Sequence, residues 1–164
     1  LLNASHKGIT LEQSREFAKS AKKAGIKVHG CFIIGLPGET HETARQTIEF
    51  AKELNPADAQ FFPLIVYPGT EAYEWAEKNK YLTTHDFSKW NTKQGWHDSI
   101  VTTPQLSKEE VIKLCNKAKV EFYLRPKFFI KTLKLMSTDF NEVKRVFKAS
   151  PIFLRYLGKA LMNK

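Results

Sequence analysis

Two apolar runs of strand length, residues 28–34 and 59–66, each follow a helical pattern and run out into a glycine-bearing turn that opens the next helix. The resulting order of helix, strand, helix, strand, helix over residues 10–78 predicts an α/β fold with right-handed crossovers. A capping box of Thr10 and Gln13 starts the first helix at Leu11. Leu11, Phe17, Ala18 and Ala21 supply its apolar stripe, and Gly25 its left-handed stop. The first apolar run, which holds Cys31, lacks clear alternation and so predicts a strand covered on both faces. Thr40 caps the second helix, which turns Ala44, Ile48 and Ala51 inward and closes at Leu54-Asn55-Pro56. Pro63 removes a ladder donor from the second strand, which predicts a bulge or an edge there. A short helix follows over 71–78.

Beyond these elements, residues 83–106 read as an irregular loop pinned by Phe87, Trp90 and Trp96. A second capping box, Ser107 with Glu110, opens a helix that runs to about residue 122, and Arg125-Pro126 breaks it. Three short basic amphipathic helices follow, with apolar stripes at Phe128-Phe129-Leu133-Met136, Phe140-Val143-Phe147 and Phe153-Leu157-Ala160-Leu161. The chain thus divides into regions 1–82, 83–106 and 107–164. Charge divides with it: residues 1–82 hold 10 Lys/Arg and 10 Asp/Glu, residues 83–164 hold 16 and 7, and from Tyr123 onward the count is 10 against 2.

Several function classes are excluded. No run approaches the roughly 20 apolar residues that span a bilayer, and the N-terminal residues lack the pattern of a signal peptide, so the expected compartment is cytoplasmic. Two cysteines, Cys31 and Cys115, rule out a disulfide scaffold and any metal site built from several cysteines of this chain, and both read as small core residues. His6, His29, His41, His85 and His97 show no metal-ligand spacing, and no nucleophile elbow or Walker loop is present. No residue therefore stands out as a catalytic acid, base or nucleophile. The turn Gly35-Leu36-Pro37-Gly38-Glu39-Thr40 instead reads as a binding loop. Its glycines permit close backbone approach, and helix N–H groups behind it offer a seat for a polar or anionic group at the carboxyl end of a strand. Tyr67-Pro68-Gly69-Thr70-Glu71 holds the equivalent place after the next strand. The basic tail is compatible with an anionic membrane surface or an acidic partner. The preferred reading is a helical cap with solvated lysines, and the tail has no arginine-rich reader helix or base-stacking motif for nucleic acid.

The run from His29 to Thr40 with Thr43, then Leu54-Asn55-Pro56, Ala59-Gln60-Phe61 and Tyr67-Pro68-Gly69-Thr70-Glu71, resembles radical S-adenosylmethionine enzymes. It is most similar to the branch that often carries an N-terminal cobalamin-binding domain. Lys7-Gly8-Ile9-Thr10 resembles the segment after that family's fourth barrel strand, and Phe122-Tyr123-Leu124-Arg125-Pro126 resembles the branch's C-terminal extension. The resemblance implies the C-terminal half of a partial TIM-type (β/α)6 barrel with a helical extension, whose partner is the N-terminal half of the barrel. In that family a Cys-x3-Cys-x2-Cys loop holds a 4Fe-4S cluster, and S-adenosylmethionine bound there is cleaved to a 5'-deoxyadenosyl radical. No such motif occurs in this chain. By motif, the resemblance assigns Ile33, Ile34 and Gly35 to support of the adenine, and Gly38 and Glu39 to the turn. Val66 and Tyr67 fall at the end of the sixth strand and its rim. It implies an unidentified small-molecule or lipid-like substrate and leaves peripheral membrane contact open. The alternative is a non-catalytic α/β adaptor whose basic helices bind a membrane surface or an acidic partner.

Overall fold

The computed structural model describes residues 7–90 and 98–138, together with helical positions 140, 143–144, 146–148, 150–151, 154–155 and 158. The order is α1 (Leu11–Lys23), β1 (His29–Ile34), α2 (His41–Leu54), β2 (Asp58–Pro63), α3 (Glu71–Lys78), a 3-10 turn (Phe87–Lys89), α4 (Lys108–Tyr123) and α5 (Pro126–Thr138). The chain forms two compact units, residues 1–115 and 116–164, with the boundary inside α4. Trp96 and most of the second and third basic helices lie outside the described residues.

The helix starts follow their local chemistry. Thr10 accepts from the Gln13 N–H while the Gln13 side chain accepts from the Thr10 N–H at 2.8 Å, closing the capping box of α1. Thr40 and Thr43 make the same reciprocal pair at α2, and Asn55 takes a left-handed conformation at its C-cap (φ 49). Ala44, Ile48 and Ala51 are fully buried along one side of α2. The stripe on α1 behaves differently: Ala21 is buried, but Leu11 and Phe17 stand exposed. An ion pair from Arg15 Nε to Glu53 Oε1 at 2.6 Å joins α1 to α2, with the Arg15 guanidinium over the Phe50 ring.

Among the described residues the sheet has two strands, β1 and β2, which pair in parallel from His29↔Asp58 to Ile34↔Pro63. The face carrying Phe32, Ile34, Ala59, Phe61 and Pro63 is the covered one, with the Phe32 and Phe61 rings stacked at 5.3 Å. The opposite face carries His29, Cys31, Ile33 and Gln60, all exposed, with Asp58 and Phe62 half-buried. This corrects two expectations. β1 is covered on one face only, and Cys31 is exposed, whereas Cys115 is buried as expected. An apolar run records that a strand can be buried on both sides, but burial needs a second layer, and among the described residues no such layer covers β1.

β2 is shorter than its apolar run. It leaves the sheet at Pro63, and Leu64 and Val66 turn into a separate core with Ala76, Trp90, Ile100 and Val101. The Leu64 N–H donates to the Ile34 carbonyl at 2.8 Å. Successive strand N–H groups point to opposite sides, so the Pro63 nitrogen faces away from β1 and no ladder bond between the strands is lost. Trp90 anchors the loop, edge-on to Tyr67 and Phe87 at 5.6 and 4.8 Å, and the Leu82↔Val101 bridge closes it. No helix among the described residues is long and apolar enough to cross a membrane.

Gly30 sits where side chains converge. A Cβ at this position would stand 2.8 Å from Phe32 Cε2 and 2.9 Å from Pro56 Cγ. Gly30→Ala therefore forces the stacked Phe32 ring to shift, and a loss of about 1–3 kcal/mol is expected, read as a lower urea midpoint with an unchanged m-value.

Candidate functional site

Because β1 and β2 are adjacent and parallel, their carboxyl ends emerge at the same end of the sheet. The turn after β1 is organised by one side chain. Glu39 is 2% exposed, and its Oε2 accepts from the Gly35 N–H at 2.5 Å and the Leu36 N–H at 3.0 Å. The Glu39 N–H in turn donates to the Leu36 carbonyl at 2.9 Å. Glu39 Oε1 is buried without a protein partner. Desolvation pushes the Glu39 carboxyl above its ordinary range, and the two backbone N–H groups only partly offset that.

The N–H groups of Gly35, Leu36, Thr40 and Thr43 are engaged within the loop and cap, so they are not the open anion seat that the glycine turn suggests.

The seven residues assigned by motif divide by environment. Ile33 and Tyr67 are exposed, and Gly38 (φ 78) has nothing within 4 Å of where a Cβ would sit. Ile34, Gly35, Glu39 and Val66 are buried, so they belong to the support of the rim. Gly35 (φ 99) is also closely packed: a Cβ would lie 3.3 and 3.4 Å from the Val111 methyls and 3.6 Å from Leu64 Cβ.

A small cavity lies beneath the turn, lined by Gly35, Leu36, Glu39, Leu64, Ser99, Val101, Thr103, Leu106 and Val111. The last five come from the loop before α4 and from α4 itself, which the sequence treats only as irregular chain and a capped helix. The capping box at Ser107 was the available signal. Glu110 accepts from the Ser107 N–H and hydroxyl, each at 2.8 Å, and from His41 Nε2 at 3.0 Å. These contacts, the Ser107 N–H first, hold the Glu110 carboxyl down to about 2. His41 opens α2 and Glu110 lies in the first turn of α4, so the pair joins the two helix starts that flank the cavity.

On the open sheet face, His29 Nδ1 contacts Asp58 Oδ1 across the register. Among the described residues no group of three or more His, Cys, Asp or Glu could hold a metal ion. Cys31 on β1 and Cys115 on α4 do not supply the cysteine set that an iron–sulfur cluster requires.

Glu39 and Gly35 give two tests. Glu39→Ala leaves the Gly35 and Leu36 donors buried without an acceptor, an expected loss of about 2–4 kcal/mol, whereas Glu39→Gln keeps an acceptor and loses less. The raised carboxyl stabilises the fold fully at a pH below the ordinary Glu value and loses that contribution as pH rises through its raised value. The difference in unfolding free energy between wild type and Glu39→Gln should therefore move against the wild type over that interval. Gly35→Ala places a side chain in a left-handed conformation against Val111, and a loss of about 1–3 kcal/mol is expected by denaturant titration.

No family model matches the chain. It is 42% identical over 127 residues to an uncharacterized methyltransferase of Pyrococcus horikoshii, covering 77% of this chain and 27% of that protein. It is 30% identical over 90 residues to the anaerobic magnesium-protoporphyrin IX monomethyl ester cyclase of Rubrivivax gelatinosus, covering 55% and 16%. It is 28% identical over 127 residues to the cytidylyl-2-hydroxyethylphosphonate methyltransferase of Streptomyces wedmorensis, covering 73% and 23%. The chain thus spans about a quarter or less of these three relatives, and it is similar to one segment of larger proteins named as methyltransferases and as a cyclase.

Proposed function

We propose that this chain is the C-terminal βα portion of a radical S-adenosylmethionine enzyme of methyltransferase type, and that its two strand-end turns form the lip on which the adenosyl group rests. The observation that carries the reading is the parallel β1–β2 pair, covered on one face, open on the other, with both turns at one end. A two-stranded sheet is not self-sufficient in water, whereas further strands would cover its edge and closure into a barrel would enclose its open face. The relatives add a second line of support. One is named for a magnesium-protoporphyrin ester and another for a cytidylyl phosphonate, yet both share this segment. A segment common to such different substrates is better explained by a shared cofactor.

When bound with a 4Fe-4S cluster held elsewhere in the protein, S-adenosylmethionine supplies radical chemistry, and cobalamin in an upstream domain is a further expectation of this branch. The chain's own contribution is position. Ile33 offers apolar surface on the open face for a planar base, and Gly38 leaves room for close backbone approach. Glu39 fixes the loop. Tyr67 marks the neighbouring turn, braced by Trp90.

The reading expects a Cys-x3-Cys-x2-Cys motif in the parent reading frame upstream of Leu1. Anaerobic iron–sulfide reconstitution of the longer protein should give 4Fe-4S absorbance, and the present chain alone none. In the longer protein Ile33→Asp should raise the Kd for S-adenosylmethionine roughly tenfold or more while leaving the cluster spectrum intact. An upstream frame without that motif, or an unchanged Kd, overturns the assignment.

A further inference from the structure

Unit 116–164 carries an amphipathic surface that the proposed function does not use. α5 starts with Pro126 at its first helical position and sorts its side chains into three faces. Phe128, Thr132 and Met136 lie on the partly buried face, where the Phe128 ring is 6.0 Å from Phe122 and 5.0 Å from Tyr123. At 100° per residue, Phe129, Ile130 and Leu133 share a second face, and they are 49%, 66% and 64% exposed. Lys127, Lys131 and Lys134 share the third, directly beside Ile130. The helix is therefore fastened by one side and presents large apolar side chains next to lysines.

The same pairing recurs downstream. Phe140, Phe147 and Leu154 are all exposed, with Lys144 over the Phe140 ring at 5.1 Å and Lys148 and Arg155 next in sequence to the other two. From Tyr123 onward there are 10 Lys/Arg against 2 Asp/Glu. Exposed apolar residues also occur on α1, but in a half of the chain whose charges balance.

We propose that α5 is a membrane-docking helix, which lays Phe129, Ile130 and Leu133 into the headgroup boundary of an anionic bilayer while Lys127, Lys131 and Lys134 lie among the lipid phosphates. Charge complementarity selects this occupant. An anionic surface attracts the lysines, and the acyl boundary takes the three apolar side chains out of water. Nucleic acid would attract the lysines but leave Ile130 and Leu133 in water, and a second copy of this unit would bring like charges together. The contact is peripheral, since no described helix is long and apolar enough to span. This inference stands apart from the S-adenosylmethionine reading and uses none of its residues.

The test is co-sedimentation of the longer protein that carries this chain with vesicles of phosphatidylcholine alone and of phosphatidylcholine mixed with phosphatidylglycerol, at low and high salt. Binding is expected only to the mixed vesicles, falling steeply with salt. Leu133→Asp and the pair Lys127→Glu, Lys134→Glu should each lower partitioning roughly tenfold, with helix content by circular dichroism unchanged. Equal binding to both vesicle types, no binding to either, or binding that Leu133→Asp leaves intact overturns the proposal. So does a dimer in light scattering that Leu133→Asp dissociates, or oligonucleotide binding tighter than vesicle binding.

Discussion

The buried carboxyl of Glu39 governs the rim of the sheet. Gly35 and Leu36 must turn their N–H groups inward as the chain leaves β1, and burying them requires an acceptor within reach. Glu39 supplies it four residues later, immediately before the Thr40 cap. The carboxyl thereby links the end of a strand, the start of a helix and the left-handed Gly35 conformation in one hydrogen-bonded unit. Val111 and Leu64 close over that unit, so α4 and the chain after β2 are positioned against the same point. Removal of the acceptor loosens the turn, and every contact that depends on its shape follows.

What could be read from the sequence follows the range of the forces involved. Caps and periodicity are local: Thr10 with Gln13, Thr40, Ser107 with Glu110, and the Ala44, Ile48, Ala51 face of α2 all stand where the sequence puts them. Coverage is not local. Cys31 and Ile33 look like core residues because their neighbours are apolar, yet their face of β1 has no layer over it among the described residues. Leu11 and Phe17 have helical spacing, yet among the described residues nothing buries them. The apolar run through Val66 continues past the strand because Leu64 and Val66 serve a different core, built with Trp90 and Ile100, that lies far along the chain. The same distance in sequence concealed Ser99, Thr103 and Leu106 as lining residues of the cavity beneath the turn.

The two compact units present different chemistry to their surroundings. In unit 1–115 ion pairs join elements of the fold, as Arg15–Glu53 and His41–Glu110 do, and the charges of its first 82 residues balance. In the segment from Tyr123 onward the positive charges far outnumber the negative ones. Some of them lie over aromatic rings, Arg125 over Phe122 at 4.1 Å and Lys144 over Phe140 at 5.1 Å. Such contacts set a cation beside apolar surface.

Pro63 makes the two edges of the sheet unequal. Its nitrogen lies on the outer side of β2 and carries no hydrogen, so a strand arriving there would find a donor missing at the carboxyl end of the ladder. The outer side of β1 has no proline in its strand. A strand added beside β2 would therefore lack one donor at its carboxyl end, a deficit that a strand added beside β1 would not meet.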